Sequence, residues 1–245
     1  MPRLRQVVLV VDDVDDAAAE LSAVFGVPEV FREETTLGLE MRNAVLLFGD
    51  TFVEVCRGDS PGSPVDRFLA RNGEGGYMLL LQVPDLEPVL DRARALSVRS
   101  IWEYETSEHR ERHLHPKDIA GPLTAVSMPA RREDWRWAGP GWRAAPPGGV
   151  IGVSGAEIAT ADPDALVARW SELFGLAFAD VGGERVAEVG DRLLHVVPTA
   201  AGPPRITGID VVVADPEVVL ARARVHGAAI GDDELELRGM RFRLR

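Results

Sequence analysis

Three shortages narrow what this chain can be. It has one cysteine, Cys56, so no disulfide forms within the chain and no cysteine-rich zinc site can be built. That usage fits a reducing, cytoplasmic setting. It also lacks basic residues: 27 Lys and Arg stand against 39 Asp and Glu, a formal net charge of −12. A surface that neutralises phosphates needs the opposite balance, so neither nucleic acid nor an anionic membrane is an expected partner. Finally, no apolar run is long enough to span a bilayer. The opening residues, in which Arg3 and Arg5 lead into a short apolar strand and then into acidic residues, do not form a cleavable signal pattern. Arg241, Arg243 and Arg245 do cluster, but they alternate with Phe242 and Leu244. This reads as the polar face of a strand, with a carboxylate-binding face as the alternative.

What the chain has is internal repetition. A segment in which apolar residues lead through an acidic residue into a helix of 3.6-residue period occurs four times. The copies are VVLVVDDVDDAAAELSAVFG from Val7, LLLQVPDLEPVLDRARALSV from Leu79, AEIATADPDALVARWSELFG from Ala156 and IDVVVADPEVVLARARVHG from Ile209. Asp13, Asp85, Asp162 and Asp215 hold equivalent places, where a carboxylate can cap the first amides of the helix. Pro163 and Pro216 suit a first helical turn. Gly26, Gly175 and Gly227 suit left-handed helix ends, with Ser97 in the corresponding place of the second copy. Short β-type runs follow each helix, and Gly49–Asp50 and Gly190–Asp191 read as tight hairpin turns, with Gly121–Pro122 in a similar place. The expected order is β, α, β, β, β, four times over. Residues 129–149 are dense in Pro, Gly and Arg and read as a linker. Their tryptophans, Trp135, Trp137 and Trp142, are expected to pack on a domain surface or cover a cup mouth.

This strand–Asp–helix repeat resembles the vicinal-oxygen-chelate superfamily of the glyoxalase, bleomycin-resistance and dioxygenase type. The order of GDTFVEV, SPVDRFLARNGEGG, LLLQVPDLEPVLDRARAL and HLHPKDIAGPL between Gly49 and Met128 is similar to that of methylmalonyl-CoA epimerase and glyoxalase-like proteins. The resemblance implies an α+β fold of four βαβββ modules with cupped mixed sheets and outer helices. It implies one domain over residues 1–130, a linker over 131–150 and a second, shortened domain over 151–245.

Enzymes of this superfamily hold one divalent ion with side chains from the first and last strands of paired modules. On that pattern Gln6 and Glu54 match as metal ligands, and Glu54 would also take a catalytic role. Glu40, expected on a strand of the same sheet, corresponds by analogy to a proton-transfer base. The matching positions of the second repeat hold Met78 and Ala125, which offer such an ion nothing. The cofactor expected is therefore either none or one of Mn, Zn, Ni, Fe and Mg. Glu157, His195 and Asp210 form an alternative metal set, or else a polar cluster between modules. His113 and His115 would share a strand face, unless the His115–Pro116 pair shapes a turn; His109 and His226 read as surface residues.

A ligand is expected to meet Gln6, Val8, Met78, Leu80, Gln82 and His115, a mostly apolar lining with a few polar groups. The functional expectation is a small, largely apolar molecule bound in the cup, with a degenerate metal site. The alternatives are a metal-dependent lyase, isomerase or dioxygenase with a remodelled site, and a purely structural role for one domain. Either a monomer of two domains or a homodimer fits.

Overall fold

A computed structural model describes residues 1–33 and 39–245. The first repeat runs β1 (Arg3–Val10), α1 (Val14–Phe25), β2 (Glu29–Glu33), β3 (Met41–Phe48) and β4 (Thr51–Gly58), followed by α2 (Pro64–Asn72). The second runs β5 (Gly75–Gln82), α3 (Glu87–Ala95), β6 (Ser100–Glu105), β7 (His109–Leu114), the single turn α4 (Pro116–Ile119) and β8 (Leu123–Pro129). The third runs β9 (Val150–Thr160), α5 (Pro163–Phe174), β10 (Phe178–Val181), β11 (Glu184–Val189) and β12 (Arg192–Pro198). The fourth comprises β13 (Arg205–Val213), α6 (Pro216–Val225), β14 (Glu234–Leu237) and β15 (Met240–Leu244). Its remaining strand is reduced to one bridge, from Ala229 to Leu235.

The helices begin where a carboxylate meets their first amides. Asp13 accepts from the amides of Asp15 and Asp16 at 2.9 and 3.0 Å, and Asp162 from that of Ala165 at 2.9 Å. Asp215 accepts from those of Glu217 and Val218 at 3.1 and 3.2 Å. The amide of Asp16, ahead of the other influences, holds the Asp13 carboxyl below its ordinary range. Asp85 reaches only the Glu87 amide, at 3.1 Å, and Leu86 occupies the cap position of α3. At the other ends, Gly26 and Gly175 take φ of 65° and 69°, while Ser97 takes 55° in spite of its Cβ. Gly49 and Gly190 form left-handed hairpin turns. The Gly121–Pro122 expectation is corrected: α4 joins β7 to β8, and Gly121 is there for a close approach. A Cβ on it would lie 2.8 Å from the Trp170 indole nitrogen.

The strands form two mixed sheets, ordered β2-β3-β4-β1-β5-β8-β7-β6 and β10-β11-β12-β9-β13-β15-β14. The first and last strands of a repeat pair in parallel, as β1 does with β4, while the hairpin strands pair antiparallel. The fold is thus α+β, with curled sheets and helices.

Two compact units interleave along the chain. One gathers Met1–Arg5, Met78–Arg136 and Gly155–Ile206, and therefore most of the second and third repeats. Its core includes Trp170, whose indole donates to the Ile119 carbonyl at 3.0 Å, and Arg92, which donates to that of Leu173 at 2.7 Å. The other gathers Gln6–Tyr77, Trp137–Ser154 and Thr207–Arg245, the first and fourth repeats. Here Phe25 packs between Phe48 and Phe242, with ring centroids 5.1 and 5.0 Å away. The Pro-, Gly- and Arg-rich stretch does not hang free. Trp135 and Trp137 are buried, and Trp142 sets its edge on Phe52 at 5.2 Å.

Candidate functional site

In the unit of the first and fourth repeats, alternation along paired strands puts Gln6 and Val8 of β1, Glu54 of β4 and Asn43 of β3 on one sheet face. All four are buried. The Gln6 amide donates to Glu54 Oε2, and the Asn43 amide donates to Glu54 Oε1 at 2.7 Å. Asn43 Oδ1 in turn accepts from the Glu33 amide at 3.1 Å. A buried carboxylate needs such partners, because taking it from water unpaired would cost several kcal/mol or more. Two residues beyond Glu54, Cys56 is fully buried. Burial and the Glu54 carboxylate push its thiol well above its ordinary value, so it does not supply a reactive thiolate. Asn43 was not foreseen from sequence; its signal was a lone amide in the apolar run MRNAVLLF. Glu40 is corrected from its expected place on a strand: it is exposed, one residue ahead of β3, with φ of 48°.

The superfamily's metal pattern does not fit these residues. Both Glu54 oxygens already accept from protein amides, and the equivalent positions of the second repeat are Met78 on β5 and Ala125 on β8. Among the described residues, no group of three or more His, Cys, Asp or Glu is placed to hold a metal ion.

In the unit of the second and third repeats, Met78, Leu80 and Gln82 share a face of β5 and pair with Leu123, Ala125 and Ser127 of β8. The same face carries an arrangement that sequence reasoning missed. His109, Glu111 and His113 alternate along β7, and all are buried. Glu111 Oε1 accepts from His113 Nε2 at 2.8 Å, and Oε2 lies 3.3 Å from His109 Nε2 and accepts from the Ser127 hydroxyl. Burial alone would push Glu111 up. The hydrogen bonds and charge of the two imidazoles outweigh it and hold the carboxyl at about 2.

His109 is corrected from a surface residue to a buried one, with the Tyr104 and Trp135 rings at 6.2 and 5.7 Å. Trp102 lies 4.5 Å from the His113 ring. The signal in the sequence was HRERH, five ionisable residues in succession on a strand that has to bury one face. His115 has left the strand: it caps α4 and its Nδ1 accepts from the Lys117 amide at 3.2 Å.

Gln82 also edges a cleft of about 400 Å³ in this unit, with Arg3, Val83, Pro84, Pro129 and Arg132 around it. Glu157 and His195 are register neighbours on β9 and β12, and His195 Nδ1 lies 3.0 Å from Glu184. Asp210 belongs to the other unit, where Arg243 donates to it at 2.6 Å and Arg245 at 3.4 Å. Leu244 is buried on β15.

The sequence profile of the glyoxalase-like domain matches residues 7–174. The chain belongs to that family. No protein of curated function matches it. Among solved structures, this glyoxalase-like chain is similar over its full length to a hypothetical protein from Staphylococcus aureus. The TM-score is 0.70, with 9% identity and coverage of 100% of this chain and 99% of that one. A mutant 4-hydroxymandelate synthase from Streptomyces coelicolor aligns with a TM-score of 0.67 and 15% identity, covering 94% of this chain and 76% of that one. Methylmalonyl-CoA epimerase from Mycobacterium tuberculosis is 25% identical over 53% of this chain and 89% of its own, with a TM-score of 0.48. The first two likenesses establish the vicinal-oxygen-chelate fold, and the fold alone. Among the described residues no helix is long and apolar enough to cross a membrane.

Proposed function

We propose that this glyoxalase-like protein binds a small, largely apolar molecule and does so without the divalent ion of its superfamily. The observation that carries this reading is the closed network around Glu54, whose two oxygens accept from the Gln6 and Asn43 amides. A carboxylate compensated in this way needs no cation. Met78 and Ala125 add a thioether and a methyl where two more ligands would stand. For the metal-dependent alternatives, no cluster of three or more His, Cys, Asp or Glu among the described residues offers support. The cleft beside Gln82 lies in the size range of small-molecule sites, roughly 300–1,000 Å³.

Screening the full chain against neutral, anionic and cationic fragments by amide chemical-shift perturbation tests the reading. Fragment binding and thermal stability are expected to be the same after EDTA treatment and after addition of Mn, Zn, Ni, Fe or Mg. Near-stoichiometric metal in the purified protein, removed by EDTA together with binding or an activity, would overturn it, as would the absence of any fragment binding.

A further inference from the structure

We infer that the cleft beside Gln82 is a binding site for a small organic anion, a carboxylate or phosphate group carried on an apolar body. The inference rests on the small-molecule-binding reading and names the ligand class. The cleft belongs to the unit of the second and third repeats, and its volume is about 400 Å³. Its charged lining consists of Arg3 and Arg132, and among the described residues no acidic side chain lines it. In a chain of formal net charge −12, the two charged side chains that line this concavity are both cationic, and a concave surface directs their field toward whatever enters.

The polar floor is built. Gln82 is buried, and its side chain clasps two partners: Oε1 accepts from Arg3 Nε at 2.9 Å, and Nε2 donates to the Arg132 carbonyl at 2.7 Å. Arg3 Nη2 reaches the same carbonyl at 3.4 Å. These bonds fix which way the amide points and hold the Arg3 guanidinium in place before a ligand arrives, so little ordering entropy remains to be lost on binding. The hairpin turn between β11 and β12 braces the stem of Arg3: a Cβ on Gly190 would stand 2.8 Å from the Arg3 Cβ. Both Arg132 and the main-chain strap that carries it are tied to β5 through Gln82.

The rest of the wall is apolar and stiff. Val83 and Pro84 follow β5, and Pro129 ends β8. The prolines bring no backbone N–H that a ligand would have to satisfy. A site with guanidinium groups at one part and hydrocarbon at another recognises an amphiphile: the fork of an arginine matches the oxygens of a carboxylate or phosphate, and the apolar walls take the remainder.

Hexanoate, hexyl phosphate, hexanamide and hexylamine, titrated into the full chain and followed by amide chemical shifts and calorimetry, separate the possibilities. The two anions are expected to shift the amides of Gln82, Val83 and Ala130 and to bind roughly tenfold more tightly than hexanamide. Hexylamine is expected to be the weakest, and anion affinity is expected to fall as salt is raised. Preference between hexanoate and hexyl phosphate tells which anion the site takes, and tighter binding of either one supports the inference. Arg132→Glu, at an exposed position that leaves the fold intact, is expected to abolish the preference for anions, and Arg132→Lys to retain most of it. Hexanamide binding in the cleft as tightly as the anions, or an unchanged preference in Arg132→Glu, would overturn the anion assignment and leave small-molecule binding standing. No response from any of the four probes would overturn it as well, and the broader fragment screen then decides separately whether the chain binds small molecules at all.

Discussion

Glu111 is a buried carboxylate held on both oxygens by its neighbours. Its strand also buries His109 and His113. Its carboxyl titrates at about 2, below the ordinary 4.5. A depressed carboxylate stabilises the folded state fully above its unfolded value, and that contribution drains away as pH falls from about 4.5 toward 2. The contribution is on the order of 3 kcal/mol. Denaturant titrations of the native chain and of Glu111→Gln at pH 6 and at pH 2.5 read it directly. The variant is expected to lose stability at pH 6 and to show a shallower decline with acid than the native chain. Parallel declines for the two proteins would refute the assignment. Glu54 illustrates a different solution to the same problem, since two neutral amides, rather than imidazoles, hold its charge.

The helices show how local chemistry is repeated and where it drifts. Three of the repeat carboxylates cap their helices through an amide three residues on, but Asp85 reaches only that of Glu87, two residues on. The same second repeat carries Ser97 at φ 55° where the other three have a left-handed glycine just past the helix. A side chain in the left-handed region is strained by its Cβ, and this serine is exposed. Ser97→Gly is therefore expected to raise the thermal midpoint, by about 0.5–1 kcal/mol of stability, because relief of strain exceeds the added freedom of the unfolded chain. A lower midpoint would show that the entropy loss dominates. The second repeat also replaces the tight turn of its last hairpin with α4, and Gly121 in that connection lies against Trp170, so the longer connection is used for packing.

At the level of the whole chain, compactness does not follow the order of the repeats. Phe25 and Phe48 come from the first repeat and Phe242 from the last, and their rings meet in one core. Phe242→Ala is expected to cost about 3–5 kcal/mol, the range for deleting a buried aromatic ring. A fragment ending at residue 130 is expected to melt without a cooperative transition, since it leaves Phe25 without that partner. A fragment that melts as sharply as the full chain would contradict this, and circular dichroism against temperature makes the comparison. The fourth repeat makes this contribution although one of its strands has shrunk to a single bridge.

The sequence by itself determined the secondary elements, because capping carboxylates, left-handed glycines and the two periodicities act within a few residues of each other. It also carried the superfamily resemblance and the loss of metal donors at Met78 and Ala125, since residue type alone decides whether an atom can bind a cation. Tertiary structure decided which side chains meet. Asn43 joins Gln6 and Glu54 only through the register of β1, β3 and β4. His109 is buried because Trp135, far along the chain, packs against it. Gln82 becomes the floor of a cleft only when residues 3 and 132 arrive beside it. Register and long-range packing are properties of paired strands and folded cores, and no short window of residues contains both partners.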